Sequence, residues 1–446
     1  MTLVLGILQF ILITYILLDE FKHKTSATFL WATLFLMFGV MHLLVSISGD
    51  YEYSNIVLSE ASLFVIIFCV MYIFARQILG RKLMLLNKDR FTHEILEKEY
   101  SLEDSNVTIL FLIFIIVFAA KIIPFLRYSG SLLNTSWGGG RGYSTSLDYA
   151  NSQQIIRILF YALSGIVICC AMKRKWILVA ITVFISLFEV IITRNRIEIL
   201  PIACSLVSIF IFRNKRINLK VVIAGVIGSV AIIYIVYGLR VFRHYGTLGT
   251  FIQQFNLADF NERVSRYIET DNGELGLRKS FYYFIKYNNN FPGFGKMHTY
   301  IRMLLIYVPT RWSFGLKPSD FAITMGSALG NAAGVSTHPT LFGDCYANLG
   351  IFGVLLGLFW GMYCNLADLV TLKQKTTTSA ILVYVLNAVV FTIVGRGSVY
   401  NAFWFLAYGV PLIMISSYAK RHIHIKVILG KKTKNKLYGF GNDTKP

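Results

Sequence analysis

Long apolar stretches alternate with short polar connections along most of this chain of 446 residues. A membrane-spanning helix needs about 20 predominantly apolar residues. By that criterion the sequence predicts about eleven spans, beginning near Thr2, Phe29, Ile56, Ile109, Ile155, Trp176, Ile197, Val221, Leu341, Ser379 and Asn401. Two connections, residues 127–154 and 240–338, are much longer than the rest, and the second contains helical pieces of its own. The pattern therefore predicts one all-α polytopic membrane domain over residues 1–446, with a long and partly helical second loop.

The composition also favours a membrane protein over a soluble domain, since 55% of the residues are hydrophobic and only 15% are charged. The net charge of +20 could suggest nucleic acid, but the basic residues lie in short clusters between apolar stretches. We therefore expect no nucleic-acid partner. The six cysteines lie in or beside apolar runs without the spacing of metal ligands, so we expect them to be small packing residues.

Lysine and arginine are distributed differently over the two sides of the predicted membrane. With the N-terminus outside, the predicted inner connections hold 25 of the 43 basic residues, as the preference of Lys and Arg for the cytoplasmic side requires. The inner 25 comprise 18 Lys and 7 Arg, whereas the outer 18 comprise 13 Arg and 5 Lys. A guanidinium can bind phosphate through two parallel hydrogen bonds, which a lysine ammonium cannot do. The asymmetry predicts an anion site on the outer side.

The outer arginines occur at several separate helix ends. TRNRIEIL places two of them between the sixth and seventh spans, beside Glu198, which we expect to set their posture. GLRVFRHYG spaces three basic side chains along one face of an outward continuation of the eighth helix, and two more arginines flank an apolar segment that could lie in the membrane interface. A lipid-linked diphosphate would need several such groups, whereas the alternatives are side chains extending to the interface and unrelated contacts to lipid headgroups. We predict diphosphate binding by Arg194, Arg196, Arg240, Arg243 and Arg311, and substrate binding by Arg302 and by Arg141 in a glycine cluster.

His338 and Asp344 are the candidates for a general base on the outer side. We expect Thr337 or Ser336 to cap a helix that has Pro339 in its first turn, which would place His338 at the helix N-terminus. A neutral imidazole there could accept a proton from a substrate hydroxyl. Asp344 lies about two helical turns further on, and it could act as the base itself, orient the hydroxyl or pair with an arginine.

Several chemistries lack their usual sequence motifs. The chain has no phosphate-binding P-loop, no glycine fingerprint of a dinucleotide-binding fold, no paired CxxC and no HExxH. ATP-driven transport, nicotinamide redox chemistry and zinc hydrolysis are therefore not indicated. We expect an activity without metal or cofactor, whose donor substrate arrives from the membrane.

Two stretches resemble a known family. VPTRWSFGLKPSDF in the second loop and STHPTLFGDCYANLGIFGVLLG after it are similar to parts of the oligosaccharide repeat unit polymerases, or Wzy-type O-antigen polymerases, which are related to the O-antigen ligases. The resemblance assigns site roles to Arg311, Lys317, Asp344, Tyr346 and Asn348, with Lys317, Tyr346 and Asn348 binding substrate. A histidine base such as His338 is typical of the ligases. Elsewhere only hydropathy and loop layout match.

The resemblance implies a GT-C-like, metal-independent membrane glycosyltransferase of the bacterial inner membrane, with its active site facing the periplasm. Such a polymerase transfers a growing glycan from undecaprenyl diphosphate to an incoming lipid-linked repeat unit, and a chain-length regulator and a flippase are expected partners. The alternatives are an O-antigen ligase and a flippase or other transporter of lipid-linked oligosaccharides, whose cavity would also carry arginines. The chain departs from the commoner family layout, in which both ends lie inside.

Overall fold

The structure is a computed structural model that describes residues 1–50, 52–80, 104–136, 138, 154–213, 219–269, 275–289, 295–329, 337–374, 376–397, 399–407 and 409. Over these ranges the regular structure is helical, apart from an isolated antiparallel bridge between Ser136 and Thr247. Eight stretches in the same ranges are long and apolar enough to cross a membrane. The predicted all-α polytopic membrane protein is therefore confirmed at this level of detail, while the count of eleven spans and the GT-C-like arrangement stay predictions.

Six of these stretches precede residue 194: α1 (Thr2–Lys22), α2 (Thr28–Ser48), α3 (Asn55–Leu79), α4 (Val107–Ser129), α5 (Ile155–Met172) and α6 (Trp176–Thr193). The predicted seventh and eighth spans correspond to the shorter α7 (Ile197–Phe212) and to α8 (Leu219–Phe242). The second long loop holds α9 (Leu248–Gln254), α10 (Leu257–Glu269), α11 (Lys279–Lys286), α12 (His298–Leu304) and α13 (Phe321–Ala328). The apolar stretch Thr340–Leu372 contains α14 (Thr340–Leu349) and α15 (Leu356–Leu372), and α16 is Thr377–Arg396. The predicted eleventh span is described only over 399–407 and at 409.

The helix ends predicted to lie inside meet in a buried ion cluster. Arg76 of α3 donates from Nη2 to Glu20 of α1 at 2.8 Å and to Asp368 of α15 at 2.5 Å. It also donates from Nη1 to the side chain of Asn365 at 2.6 Å. All four side chains are buried. Since a buried charge is stable only when it is paired and hydrogen-bonded, these contacts join α1, α3 and α15 at one end of the molecule.

The opposite helix ends also meet one another. Leu248 at the start of α9 donates its N–H to the carbonyl oxygen of Thr135, just beyond α4, at 3.1 Å. Lys286 at the end of α11 donates to the carbonyl oxygen of Glu52, between α2 and α3, at 3.3 Å. Both contacts join segments that the sequence predicts on the outer side, while the orientation of the spans stays a prediction.

Helix α15 packs on α3 through glycines spaced four residues apart. A Cβ atom at Gly357 would lie 2.4 Å from the carbonyl oxygen of Phe68, and one at Gly361 would lie 2.7 Å from the Cβ of Ala75. No side chain fits between the two helices at these positions, so the backbones approach closely, as small residues allow in membrane helix pairs. The sequence analysis did not identify this Gly-xxx-Gly spacing, although it is present in the stretch IFGVLLGLFWG.

The stretch Thr340–Leu372 is not one straight helix, because the chain reverses at Gly350, whose φ is 59°. In α14, the ring centroid of Phe342 lies 5.1 Å from that of Phe68, and the ring centroid of Tyr346 lies 5.4 Å from that of Phe64. After the turn, Gly353 lies against Phe64 and Gly357 against Phe68, so the chain passes the same two phenylalanines in the opposite order. Helix α14 therefore folds back along α15, inside the bundle rather than above it.

Part of the second long loop is also built into the helical core. The ring of Phe281 in α11 lies 5.9 Å from Phe38 in α2 and 5.3 Å from Phe64 in α3. Next to it, the hydroxyl of Tyr282 lies 2.5 Å from Nδ1 of His42, whose Nε2 lies 2.7 Å from Oγ of Ser62. These contacts hold α11 against the spans α2 and α3. Helix α11 thereby provides a fixed support for the site residues described below.

Candidate functional site

Asp344 is buried in α14 and is held by neutral groups. Its Oδ2 accepts a hydrogen bond from Oγ1 of Thr299 in α12 at 2.9 Å, and its Oδ1 accepts one from Nδ2 of Asn348 at 3.1 Å. Asn348 in turn accepts a bond from the Thr299 N–H at 2.9 Å. Pairing with an arginine, one of the three roles left open for Asp344, is therefore not observed among the described residues. The carboxyl group of Asp344 instead joins α14 to α12 through its hydrogen bond with Thr299.

Arg302 and Lys317 lie at the other side of α12. The Arg302 guanidinium donates to the carbonyl oxygen of Pro318, and its Cζ lies 4.5 Å above the ring of Tyr400. Lys317 donates from Nζ to the carbonyl oxygen of Val308 at 2.8 Å. Burial and the neighbouring Arg302 guanidinium lower the pKa of Lys317.

His338 lies just before α14, against the outer end of α16. A Cβ at Gly397 would approach the Cβ of His338 to 2.4 Å, so only glycine fits opposite the histidine. The helix begins at Thr340, with Pro339 at its N-cap position and no side-chain cap. The expectation that Thr337 caps this helix is wrong, because the Thr337 N–H is bound to Ala322 and the helix starts three residues later. Ser336, the other predicted cap, lies outside the described residues.

The structure brings four predicted site residues, Arg302, Lys317, Asp344 and Asn348, onto or beside one short helix, α12. We call these four, together with His338, which packs on Gly397 three residues before the Arg302 partner Tyr400, the α12 site. Thr299 and Arg302 of α12 contact α14 and Tyr400 respectively, and Tyr400 lies three residues after the glycine that packs on His338. Tyr346, predicted to bind substrate, is half-buried and packs on Phe64.

Arg194 lies at a different place, between the outer ends of α6 and α8. It ends α6 in the left-handed region at a φ of 50°, and its side chain is fully buried. Its Nη1 donates to the carbonyl oxygens of Gly246 at 2.8 Å and Phe242 at 3.2 Å, and its Cζ lies 4.4 Å above the Phe242 ring. Its Nε and Nη2 donate to no described group. Burial lowers the pKa of this guanidinium.

Three further predicted residues follow α8. Arg243 donates from Nε to the carbonyl oxygen of Arg194 at 2.8 Å. Arg240 and His244 instead share Tyr267 of α10, since the Arg240 Cζ lies 4.5 Å above its ring and the His244 Nε2 lies 2.7 Å from its hydroxyl. The predicted common face therefore holds Arg240 and His244, whereas Arg243 is turned towards the end of α6. Burial, followed by the charge of Arg240, lowers the pKa of His244.

Sequence reasoning missed a buried charge cluster among α4, α5, α6 and α7. Lys121 of α4 forms ion pairs with Glu189 of α6 and, at 2.7 Å, with Glu198 at the start of α7. Glu198 also pairs with Arg157 of α5 at 3.1 Å. The expectation that Glu198 sets the posture of the neighbouring arginines is therefore wrong for Arg194, because the Glu198 carboxylate binds groups of α4 and α5, while the side chain of Arg196 lies outside the described residues. The available signal was a lysine inside an apolar run, since charges inside spans are costly and find partners.

Of the remaining predicted residues, the structure describes the side chain of Arg311 only. Arg311 is exposed, with its Cζ 5.2 Å above the ring of Trp312. Arg196 begins a short 3-10 turn, and its side chain lies outside the description, as does the whole of Arg141. Comparisons of the chain with family models, curated proteins and solved structures found no match.

Proposed function

We propose that this multi-pass membrane protein is a periplasm-facing polysaccharide polymerase. It would transfer an undecaprenyl-diphosphate-linked glycan onto an incoming lipid-linked repeat unit. The observation that best supports this function is that Arg194, Arg302 and Arg311 form no ion pair with a described carboxylate, whereas Arg76 on the other side pairs with two. Guanidinium groups whose charge is not neutralised suit a ligand with two phosphates.

The arginines differ in how easily a ligand can reach them. Arg311 is exposed and Arg302 is half-buried, so both can meet a diphosphate that enters along the membrane. Arg194 has no exposed surface, so a phosphate would reach its unbonded nitrogens only after neighbouring residues move. The proposal therefore gives first contact with the leaving group to Arg302 and Arg311, and a supporting role to Arg194.

Within the α12 site we assign the base to His338 rather than to Asp344. The acceptor hydroxyl oxygen attacks the anomeric carbon, the bond from that carbon to the diphosphate oxygen breaks, and the hydroxyl proton passes to the histidine. The arginines stabilise the negative charge that develops on the leaving diphosphate. His338 is partly exposed, whereas both oxygens of Asp344 are buried and bonded to Thr299 and Asn348. Asp344 then positions α12, which carries Arg302.

Deletion of the gene tests this function against its nearest alternatives. Surface glycans run on a gel should show single repeat units attached to the lipid core if the protein is a polymerase. A complete absence of attached repeats would instead indicate a ligase. An unchanged polymer ladder would contradict both.

A transporter of lipid-linked oligosaccharides is the second candidate, and the buried charge cluster favours it. Ionisable groups inside spans often line a transport path, and Lys121, Glu189, Glu198 and Arg157 connect four helices within the bundle. Lipid-linked repeat units trapped on the cytoplasmic side of the deletion strain would support this candidate. Repeat units that accumulate on the periplasmic side would support the polymerase.

A further inference from the structure

The segment 301–316 exposes an unusual amount of apolar side chain for part of a loop. Leu304 is 84% exposed, Phe314 94% and Leu316 69%, and the aromatic rings of Tyr307 and Trp312 are more than half exposed. Large apolar side chains concentrated in so short a stretch normally contact another surface. The question is which surface covers them.

The start of this segment lies beside membrane-spanning helices. Met303 lines an apolar groove together with Tyr363 from the middle of α15 and Val390 from α16. The hydroxyl of Tyr307 donates to the carbonyl oxygen of Ala407 at 2.7 Å. Two residues before Ala407, Phe405 stacks on Tyr161 within the span α5, with ring centroids 5.1 Å apart. Residues 303–307 are therefore level with the interior of several spans, not above them.

The backbone of the segment is suited to that position. At membrane depth each backbone N–H and C=O group needs a partner within the protein, because hydrocarbon offers none. After α12 the turns continue, with N–H donors of Leu305, Ile306 and Val308 bonded to carbonyl oxygens three or four residues earlier at 3.1 to 3.2 Å. The Val308 carbonyl is in turn bound by Lys317 at 2.8 Å, which closes the base of a hairpin.

The charges of the segment match a phospholipid surface. Residues 298–319 contain Arg302, Arg311 and Lys317 but neither Asp nor Glu. Arg311 is exposed at the tip of the hairpin and stacks on Trp312 at 5.2 Å. Arginine extends to phosphate groups, and tryptophan is enriched at the level of lipid headgroups.

We propose that residues 301–316 form a re-entrant hairpin that enters the outer leaflet of the bilayer. Leu304 and Tyr307 contact acyl chains, while Arg311, Trp312 and Phe314 lie among the headgroups, and the partner is phospholipid. This proposal does not depend on the proposed polymerase activity. It follows from the exposure, depth and charge of the segment.

Tryptophan quenching in nanodiscs tests the proposal with the full-length protein. The fluorescence of Trp312 is obtained as the difference between the unaltered protein and Trp312→Phe, and a second probe is Leu304→Trp in the Trp312→Phe background. The discs contain phospholipids brominated near the headgroup or deep in the acyl chain, and iodide serves as the quencher in water. Glu262→Trp on α10 is the aqueous control, because the ion pair of Glu262 with Arg266 is largely exposed.

Shallow bromine should quench Trp312 most, deep bromine should quench the Leu304→Trp probe most, and iodide should reach neither as well as it reaches the Glu262→Trp probe. Iodide quenching of the first two probes equal to that of the control, with no effect of bromine, would overturn the hairpin. Because Trp312→Phe is a conservative change at an exposed site, the Trp312 measurement stays interpretable if Leu304→Trp fails to fold.

Discussion

Arg194 and Arg243 join the C-terminal ends of α6 and α8 through hydrogen bonds from their side chains to backbone carbonyl oxygens. The Arg243 side chain donates to the carbonyl oxygen of Arg194 at 2.8 Å, while Arg194 donates to the carbonyl oxygen of Gly246, three residues after Arg243, at 2.8 Å. Both residues were predicted to bind diphosphate. In this structure part of each guanidinium is engaged in joining two helix ends, so a structural role exists whether or not an anion binds.

Arg194→Lys should lower the free energy of unfolding by about 1–3 kcal/mol. The buried Arg194 guanidinium is shared by the carbonyl oxygens of Phe242 and Gly246, and a lysine ammonium cannot retain the same geometry, which leaves a buried polar group unsatisfied. The melting temperature in detergent measures the effect. Arg266→Lys on the exposed face of α10 is the matched control and should melt like the unaltered protein. Equal melting of the two variants would show that the Arg194 contacts contribute nothing to stability.

His338→Ala should abolish polymer formation without lowering stability, whereas Asp344→Asn should lower stability. The first removes the proposed base from a partly exposed position, so polymer formation should be lost while the melting temperature is kept. The second replaces an oxygen that accepts a buried hydrogen bond, so it should destabilise the protein by about 1–3 kcal/mol. Thr299→Val removes one donor to the same carboxyl and should resemble Asp344→Asn. Normal polymer length in His338→Ala would exclude the histidine as the base.

Gly357→Ala should destabilise the contact between α15 and α3. The added methyl group would lie 2.4 Å from a backbone oxygen, which only a shift of one helix can relieve. Gly228→Ala in α8 is the control, because nothing lies within 4 Å of the added atom, and alanine favours the helix by about 1 kcal/mol. A lower melting temperature for the first variant alone is expected. Equal values would mean that the helices are not in close contact at Gly357.

Arg76→Met should be among the most destabilising substitutions on the predicted inner side. Removal of the guanidinium leaves the carboxylates of Glu20 and Asp368 buried without their cation, and breaking a buried ion pair in this way costs about 3–5 kcal/mol. Loss of folded protein on size-exclusion chromatography is the measurement. The double substitution of both carboxylates by their amides in the Arg76→Met background should recover part of the folded fraction. An unaltered elution profile for Arg76→Met would contradict the cluster's structural role.

The membrane-protein class was predictable from the sequence because each span must be apolar over a fixed length. The arginine bias was equally visible, since residue type and side can be counted without coordinates. The folding back of α14 at Gly350 was not predictable, because apolar residues continue through the turn. Asp344 therefore lies inside the bundle, whereas hydropathy alone places it near the start of an uninterrupted span.

Partners of individual charges were the least predictable feature. Glu198 is four residues from Arg194 in sequence, yet its carboxylate binds Lys121 and Arg157 on other helices. Arg194 instead donates to carbonyl oxygens at the end of α8, so sequence proximity did not indicate contact. Conversely, Asp344 and Tyr400 are distant in sequence from α12, yet Asp344 binds its Thr299 and Tyr400 stacks on its Arg302.

The polymerase proposal is tested most directly by purified protein in nanodiscs with one substrate, an undecaprenyl-diphosphate-linked repeat unit. The proposal predicts glycans of two or more repeats on the lipid, with one undecaprenyl diphosphate released for every bond formed, and no product from Arg302→Ala or His338→Ala. Arg266→Ala should retain full activity. Unextended substrate and no released undecaprenyl diphosphate, from protein that is folded and binds the lipid, would contradict the polymerase assignment.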